Sequence, residues 1–179
     1  MMDIDQFIMD CTAAVNDSVP TKAVREALAY VVSDERAVIK ALGAPMQGGV
    51  KKIHVSDDLT IVNVIWAPGM KIMPHNHNMW AVIGVYRGQE DNVFWRRLKD
   101  DDKGQIEEAG AKSLGPRDVL VLGKDIIHSV TNPTSEFTGA IHVYGGNFFE
   151  KHRSEWDSSE LEEKPYDIDK NMKLFEAEN

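Results

Sequence analysis

Six histidines occur in the 179-residue chain, and two of them, His75 and His77, stand one residue apart in Pro74-His75-Asn76-His77. Side chains two apart in an extended strand project from the same face. Both imidazoles can therefore reach one point in space, which a shared metal ion requires. Neutral imidazole suits iron, zinc, copper and nickel. A third ligand must come from elsewhere in the chain, and His128 is the candidate. It lies within Asp125–Asn132, DIIHSVTN, on an expected strand that opens after Gly123-Lys124. Three such ligands leave positions open for water, substrate or oxygen. An isolated strand histidine is commonly a hydrogen-bonded, half-buried residue instead. The HxH pair ahead of the apolar run Trp80–Tyr86 is what favours a metal. His54 and His152 belong to no such pattern.

These side chains need a rigid frame, and the chain from residue 46 onward reads as one. Short segments rich in Val, Ile and aromatics alternate there with Gly, Pro, Asn and Asp clusters. Strands are expected near 50–55, 59–66, 71–76, 79–86, 91–98, 105–113, 118–122, 125–131 and 137–144. Turns are marked by Ser56-Asp57-Asp58, Pro68-Gly69, Arg87-Gly88-Gln89, Asp100–Gly104, Gly115-Pro116, Gly123-Lys124 and Asn132-Pro133. Many short strands with no helices between them indicate a mainly β sandwich or barrel of the jelly-roll kind. Residues 3–42 read instead as helices. Ile4, Phe7, Ile8, Cys11 and Val15 recur at helical spacing. Val24, Leu28 and Val31-Val32 form a second stripe after the break at Ser18-Val19-Pro20, with Thr21 or Ser18 as its cap. A third short helix, capped near Ser33-Asp34-Glu35, ends before Gly43. Helices packed on one side of a larger body account for this region. From Glu150 the chain is polar and charged, with a short surface helix expected over 154–161. An extended tail would follow, pinned by Trp156, Tyr166 or Leu174-Phe175. The resulting division is a helical segment at 1–45, a barrel at 46–150 and a polar tail at 151–179, within one structural domain.

Composition bounds the function. A net charge of −9 argues against nucleic acid or an anionic membrane as the main partner. No apolar run approaches a membrane span, and the acidic start MMDIDQFIMD lacks the basic character of a signal peptide. The lone cysteine, Cys11, sits on an apolar stripe and suits a reducing cytoplasm. Edge strands in such folds often pair, which leaves a homodimer open.

Two stretches carry a family resemblance. Gly69–Gly88 resembles the first cupin motif: a glycine, five residues, HxH, and a glycine about eleven residues on. Gly115–Asn132 resembles the second, in which a histidine is followed four positions later by asparagine, here His128 and Asn132. Ordinary cupins carry a glutamate ligand four or five residues after the HxH pair, where this chain has Ala81 and Val82. An all-histidine site is typical of the thiol dioxygenase branch, which includes the cysteine and 3-mercaptopropionate dioxygenases. PHNHNMWAVIGVYRG looks like the PxHDHxxWGVIGVLRG segment of its bacterial members, and Ala140–Gly146, AIHVYGG, looks like their SLHVYGG strand. The resemblance runs from roughly Trp66 to Trp156, about half the chain.

The resemblance implies a cupin double-stranded β-helix with N-terminal α-helices packed on the barrel. It also implies a non-heme iron dioxygenase, an oxidoreductase that converts a small thiol acid to its sulfinate with O2. By that resemblance His75, His77 and His128 hold Fe(II). His142 and Tyr144 stand for the last two members of a Ser-His-Tyr hydrogen-bonded chain, and Arg153 stands for the arginine that binds the substrate carboxylate. His142 and Tyr144 do share a strand face; read alone, Tyr144 is equally a packed core aromatic and Arg153 a solvated arginine. Ala140 replaces the serine and cannot extend the chain, so His142 needs a water or backbone partner. Zinc, nickel or manganese in a cupin lyase, isomerase or hydrolase is the alternative. A non-catalytic small-molecule binding module is another, because fold alone does not choose.

Overall fold

The computed structural model describes residues 2–99, 101–157 and 159–177, so Asp100 and Ser158 of the expected turn and helix lie outside the described residues. Three helices come first: α1 (Ile4–Val15), α2 (Pro20–Val32) and α3 (Glu35–Leu42). Asp3 caps α1 by accepting from the Gln6 amide at 3.1 Å, and Asp34 caps α3 by accepting from the Ala37 amide at 3.0 Å. The cap of α2 differs from expectation. Val19 occupies it without a side-chain bond, and Pro20 opens the helix, its fixed φ and missing N–H costing nothing there. Gly43, at φ 91°, ends α3.

Nine strands build the body: β1 (Gly49–Val55), β2 (Thr60–Trp66), β3 (Lys71–Asn76), β4 (Ala81–Arg87), β5 (Glu90–Arg97), β6 (Ile106–Leu114), β7 (Val119–Leu122), β8 (Ile127–Thr131) and β9 (Thr138–Tyr144). With two short later strands, β10 (Ser154–Trp156) and β11 (Glu163–Pro165), they form two antiparallel sheets. One has the order β1-β2-β9-β4-β7 and the other β11-β10-β3-β8-β5-β6. This is the expected mainly β jelly roll, with helices packed outside one sheet. The strands β2, β4 and β9 are buried almost throughout because both of their faces are covered. Val62, Val64, Ala81, Ile83, Val85 and Ala140 face the barrel interior. Ile61, Val82, Ile141 and Val143 face Phe7, Cys11, Val24, Leu28 and Val32 of the helices. Gly84 lets α2 come close: a Cβ there would lie 2.8 Å from Leu28 Cγ.

The chain after Glu150 corrects the expectation. No helix forms over the described part of 154–161. Instead β10 pairs with the edge of β3, Glu155 opposite His75, and β11 pairs with β10. Trp156 is fully buried and donates its indole N–H to Gly104 O at 2.8 Å, which an exposed surface helix would not permit. Asp157 then makes a turn by accepting from the Ser159 and Glu160 amides. Beyond β11 the tail is a helix, α4 (Ile168–Ala177), rather than extended chain. Glu155 ties it down, accepting from Asn171 Nδ2 at 2.7 Å and pairing with Lys170. Phe175 packs on Trp66, with ring centroids 5.2 Å apart. Tyr166 and Phe175 thus act as pins, as expected, but they do so by closing one end of the barrel. Among the described residues no helix is long and apolar enough to cross a membrane.

Candidate metal centre

The register places His75 directly opposite His128 across β3 and β8. Pro74 has no N–H for the ladder and lies where the pairing shifts between Ile72 and His75, which is where a strand tolerates proline. His77 follows one residue beyond β3. Its Nε2 lies 3.2 Å from His75 Nε2 and 3.3 Å from His128 Nε2. All three rings are buried, and their nitrogens form a cluster able to hold one metal ion.

Hydrogen bonds at the far side of two rings set the direction of the lone pairs. His75 Nδ1 faces Met73 O at 2.9 Å, and His128 Nδ1 faces Asn92 Oδ1 at 2.7 Å. A carbonyl oxygen only accepts, so each Nδ1 carries the proton and each Nε2 presents a lone pair to the common point. Burial lowers the pKa of His75 to about 4, against the bond to Met73 O that raises it, and burial pushes His77 and His128 well below the usual histidine range. The rings are therefore neutral at pH 7. His77 Nε2 lies within hydrogen-bond reach of both lone pairs, so it either donates to one of them or turns a third lone pair to a cation, and the three nitrogens fit one metal ion.

His142 and Tyr144 approach from the opposite sheet, on β9, and His142 Nδ1 lies 3.0 Å from the Tyr144 hydroxyl. The Tyr144 ring meets His77 at 5.0 Å and stacks on Phe148 at 4.3 Å. Burial raises the Tyr144 pKa far above its ordinary value, so it stays a phenol. The partner expected for His142 was water or backbone. It is Glu90 instead, a fully buried carboxylate whose Oε2 lies 3.2 Å from His142 Nε2. Glu90 also accepts from Trp66 Nε1 at 3.0 Å and from Asn92 Nδ2 at 3.1 Å.

Neither Glu90 nor Asn92 was singled out by sequence reasoning. The available signal was their spacing of two at the start of β5, with Asp91 between them. That puts both polar side chains on the face that turns inward at Phe94.

Arg153 is buried at 7% exposure rather than solvated. Its guanidinium lies between the rings of Phe148 and Tyr166, at 4.0 and 4.1 Å. Nη1 donates to Phe148 O and Lys151 O, while among the described residues Nε and Nη2 are buried without a hydrogen bond of good geometry, the Tyr166 hydroxyl being the polar group that feels the guanidinium. Phe148 and Tyr166 also line a cavity of about 40 Å³ shared with His75, His77, His128, His142 and Tyr144. The remaining wall is apolar, with Val62, Val64, Ile72, Val130 and Phe175 among its residues. Such a space admits a water or part of a small ligand. Arg87 lies outside the site and pairs with Glu35 and Glu136. Met79 and Trp80 also stay outside the cavity and pack in the core.

No family model matches this chain. Among solved structures it is similar to an RmlC-like cupin family protein with a double-stranded β-helix fold from Methanocaldococcus jannaschii. That match has 11% identity over 61% of this chain and 88% of that one, with a TM-score of 0.47. A cupin superfamily protein from Desulfitobacterium hafniense matches at 16% identity over 58% of this chain and 82% of its own, TM-score 0.45. Oxalate decarboxylase from Bacillus subtilis matches at 18% identity over 59% of this chain but 27% of its own, TM-score 0.45. Likeness at these levels assigns no chemistry to this chain.

Proposed function

We propose that the protein is an Fe(II)-dependent thiol dioxygenase that converts a small thiol carboxylate to its sulfinate, RSH + O2 → RSO2H. The observation that carries this reading is a cavity lined by three neutral imidazoles, two of whose wall residues, Phe148 and Tyr166, hold a buried arginine behind them. When bound, iron would supply a place for thiolate and O2 to meet and a path for electrons between them, and would lower the thiol pKa. His75, His77 and His128 would hold it. Buried guanidinium nitrogens without partners are costly unless something accepts from them. The free edge of Arg153 therefore suits the substrate carboxylate, which a planar guanidinium binds through two parallel bonds. Tyr144, oriented by His142, presents its hydroxyl oxygen to the reacting sulfur end. The valines, Ile72 and Phe175 keep water away from it.

Metal analysis of protein purified without added metal, followed by oxygen uptake with 3-mercaptopropionate, cysteine and cysteamine, tests this. Uptake with a carboxylate thiol from iron-loaded protein is expected. No uptake with any of the three would sink the assignment, and a persistent zinc, nickel or manganese content would favour another metal-dependent enzyme. A negligible metal load would favour a binding module. Arg153→Ala should raise KM for carboxylate thiols by roughly 10-fold or more, the scale of a lost charged hydrogen bond, and leave that for cysteamine little changed. Equal effects on both would remove its assigned role.

A further inference from the structure

We propose that Glu90 is the positioning residue of this site: one buried carboxylate that sets the hydrogen-bond direction in the branch to His128 and in the branch to Tyr144. The inference rests on the metal-site reading above and extends it to a residue on β5 that belongs to neither the ligand set nor the cavity wall.

A carboxylate only accepts. Glu90 Oε1 faces Asn92 Nδ2, so Asn92 must turn its NH2 towards Glu90 and its oxygen towards His128. That oxygen holds the proton of His128 on Nδ1 and leaves Nε2 free to ligate. Glu90 Oε2 faces Trp66 Nε1 and His142 Nε2. Trp66 is an obligate donor, and His142 must likewise place a proton on Nε2. In the neutral ring, Nδ1 then accepts the Tyr144 hydroxyl proton at 3.0 Å. Glu90 lies on the six-stranded sheet, and Trp66 and His142 lie on the five-stranded one. The same carboxylate thus joins the two sheets at the site.

Glutamine is the same shape but has only one acceptor. In Glu90→Gln, the Trp66 N–H claims the amide oxygen, and His142 keeps its proton on Nε2. The new NH2 then faces Asn92, which must rotate and offer its own NH2 to His128. His128 is driven to the Nε2–H tautomer, which cannot ligate. Nitrogen-15 NMR of the metal-free full chain reads these tautomers directly, and Co(II) titration reads the affinity. The wild type should show Nδ1–H at His128 and Nε2–H at His142. Glu90→Gln should switch His128 alone and weaken Co(II) binding roughly 10–100-fold, the usual scale for such outer partners.

Two outcomes would overturn the proposal: the opposite tautomer at either histidine in the wild type, or a folded Glu90→Gln that keeps Nδ1–H and binds Co(II) within about twofold of wild type. If Glu90→Gln fails to fold, the wild-type tautomers still decide. If the wild type binds no Co(II), the metal reading fails while the tautomers still judge Glu90.

Discussion

His75 is neutral in the folded protein because burial lowers its pKa to about 4, from about 6.5 for an exposed histidine. Below pH 6.5 the unfolded chain binds a proton there that the folded chain does not. Stability therefore falls as pH drops from about 6.5 towards 4, by on the order of 3 kcal/mol for this residue alone. His77 and His128 shift in the same direction and steepen the loss. Metal-free protein should accordingly show a urea midpoint that declines sharply across this window, and bound metal should offset the decline. A flat midpoint from pH 7 to 4 would contradict the buried, neutral trio. Cys11 behaves in the opposite sense: burial pushes its thiol pKa up to about 12, as an apolar helix stripe implies. The histidine trio was legible because a two-residue period and a motif both mark it. Glu90 was not, since a glutamate after Arg87-Gly88-Gln89 reads as part of a polar turn, and its burial depends on donors from two other strands.

At the scale of elements, the segment after Glu150 departs most from its sequence pattern. Its charge suggested solvent, but the charges pair with one another: Arg97 with Glu163, Lys164 with Asp157, and Lys170 with Glu155. The widely spaced apolar residues expected as pins, Trp156, Tyr166 and Phe175, make the contacts that count, but no short window shows which strands and helix form between them. Glu155 is the tether of α4. Glu155→Ala would leave the buried Asn171 amide short of an acceptor, at about 1–3 kcal/mol. The expected result is faster hydrogen exchange across 168–177 with the barrel strands unchanged. Unchanged exchange in α4 would mean that the apolar contacts of Met172, Leu174 and Phe175 hold the helix without it. Strands were read closely from alternation and turn residues, mostly within one or two positions of β1 to β9, because covered β-strands and Gly/Pro turns leave local marks.

The whole molecule is three layers: helices, the five-stranded sheet and the six-stranded sheet. The outer contact depends on Gly84, where α2 crosses β4. Gly84→Ala should overpack Leu28 and Val32, costing about 1–3 kcal/mol in urea denaturation. Co(II) affinity should hold, because the ligands lie on the other sheet. The inner contact is the site itself, with His75 and His128 on one sheet, His77 just beyond it, and His142 and Tyr144 on the other. Sequence patterns showed that helices precede a barrel, but not which strand faces which, since that is settled by contacts distant along the chain.

The place of β9 between β2 and β4 bears on how the protein assembles. Strands made early must wait with open edges until a segment far down the chain inserts between them, and closing so long a loop is entropically costly and slow. His142 and Tyr144 travel on that late strand. The pairing of β3 with β8, which brings His75 opposite His128, belongs to the other sheet and does not depend on that insertion, so these imidazoles and the Asn92 and Glu90 behind them can meet before His142 and Tyr144 arrive. Sheet closure and completion of the site are then one kinetic event.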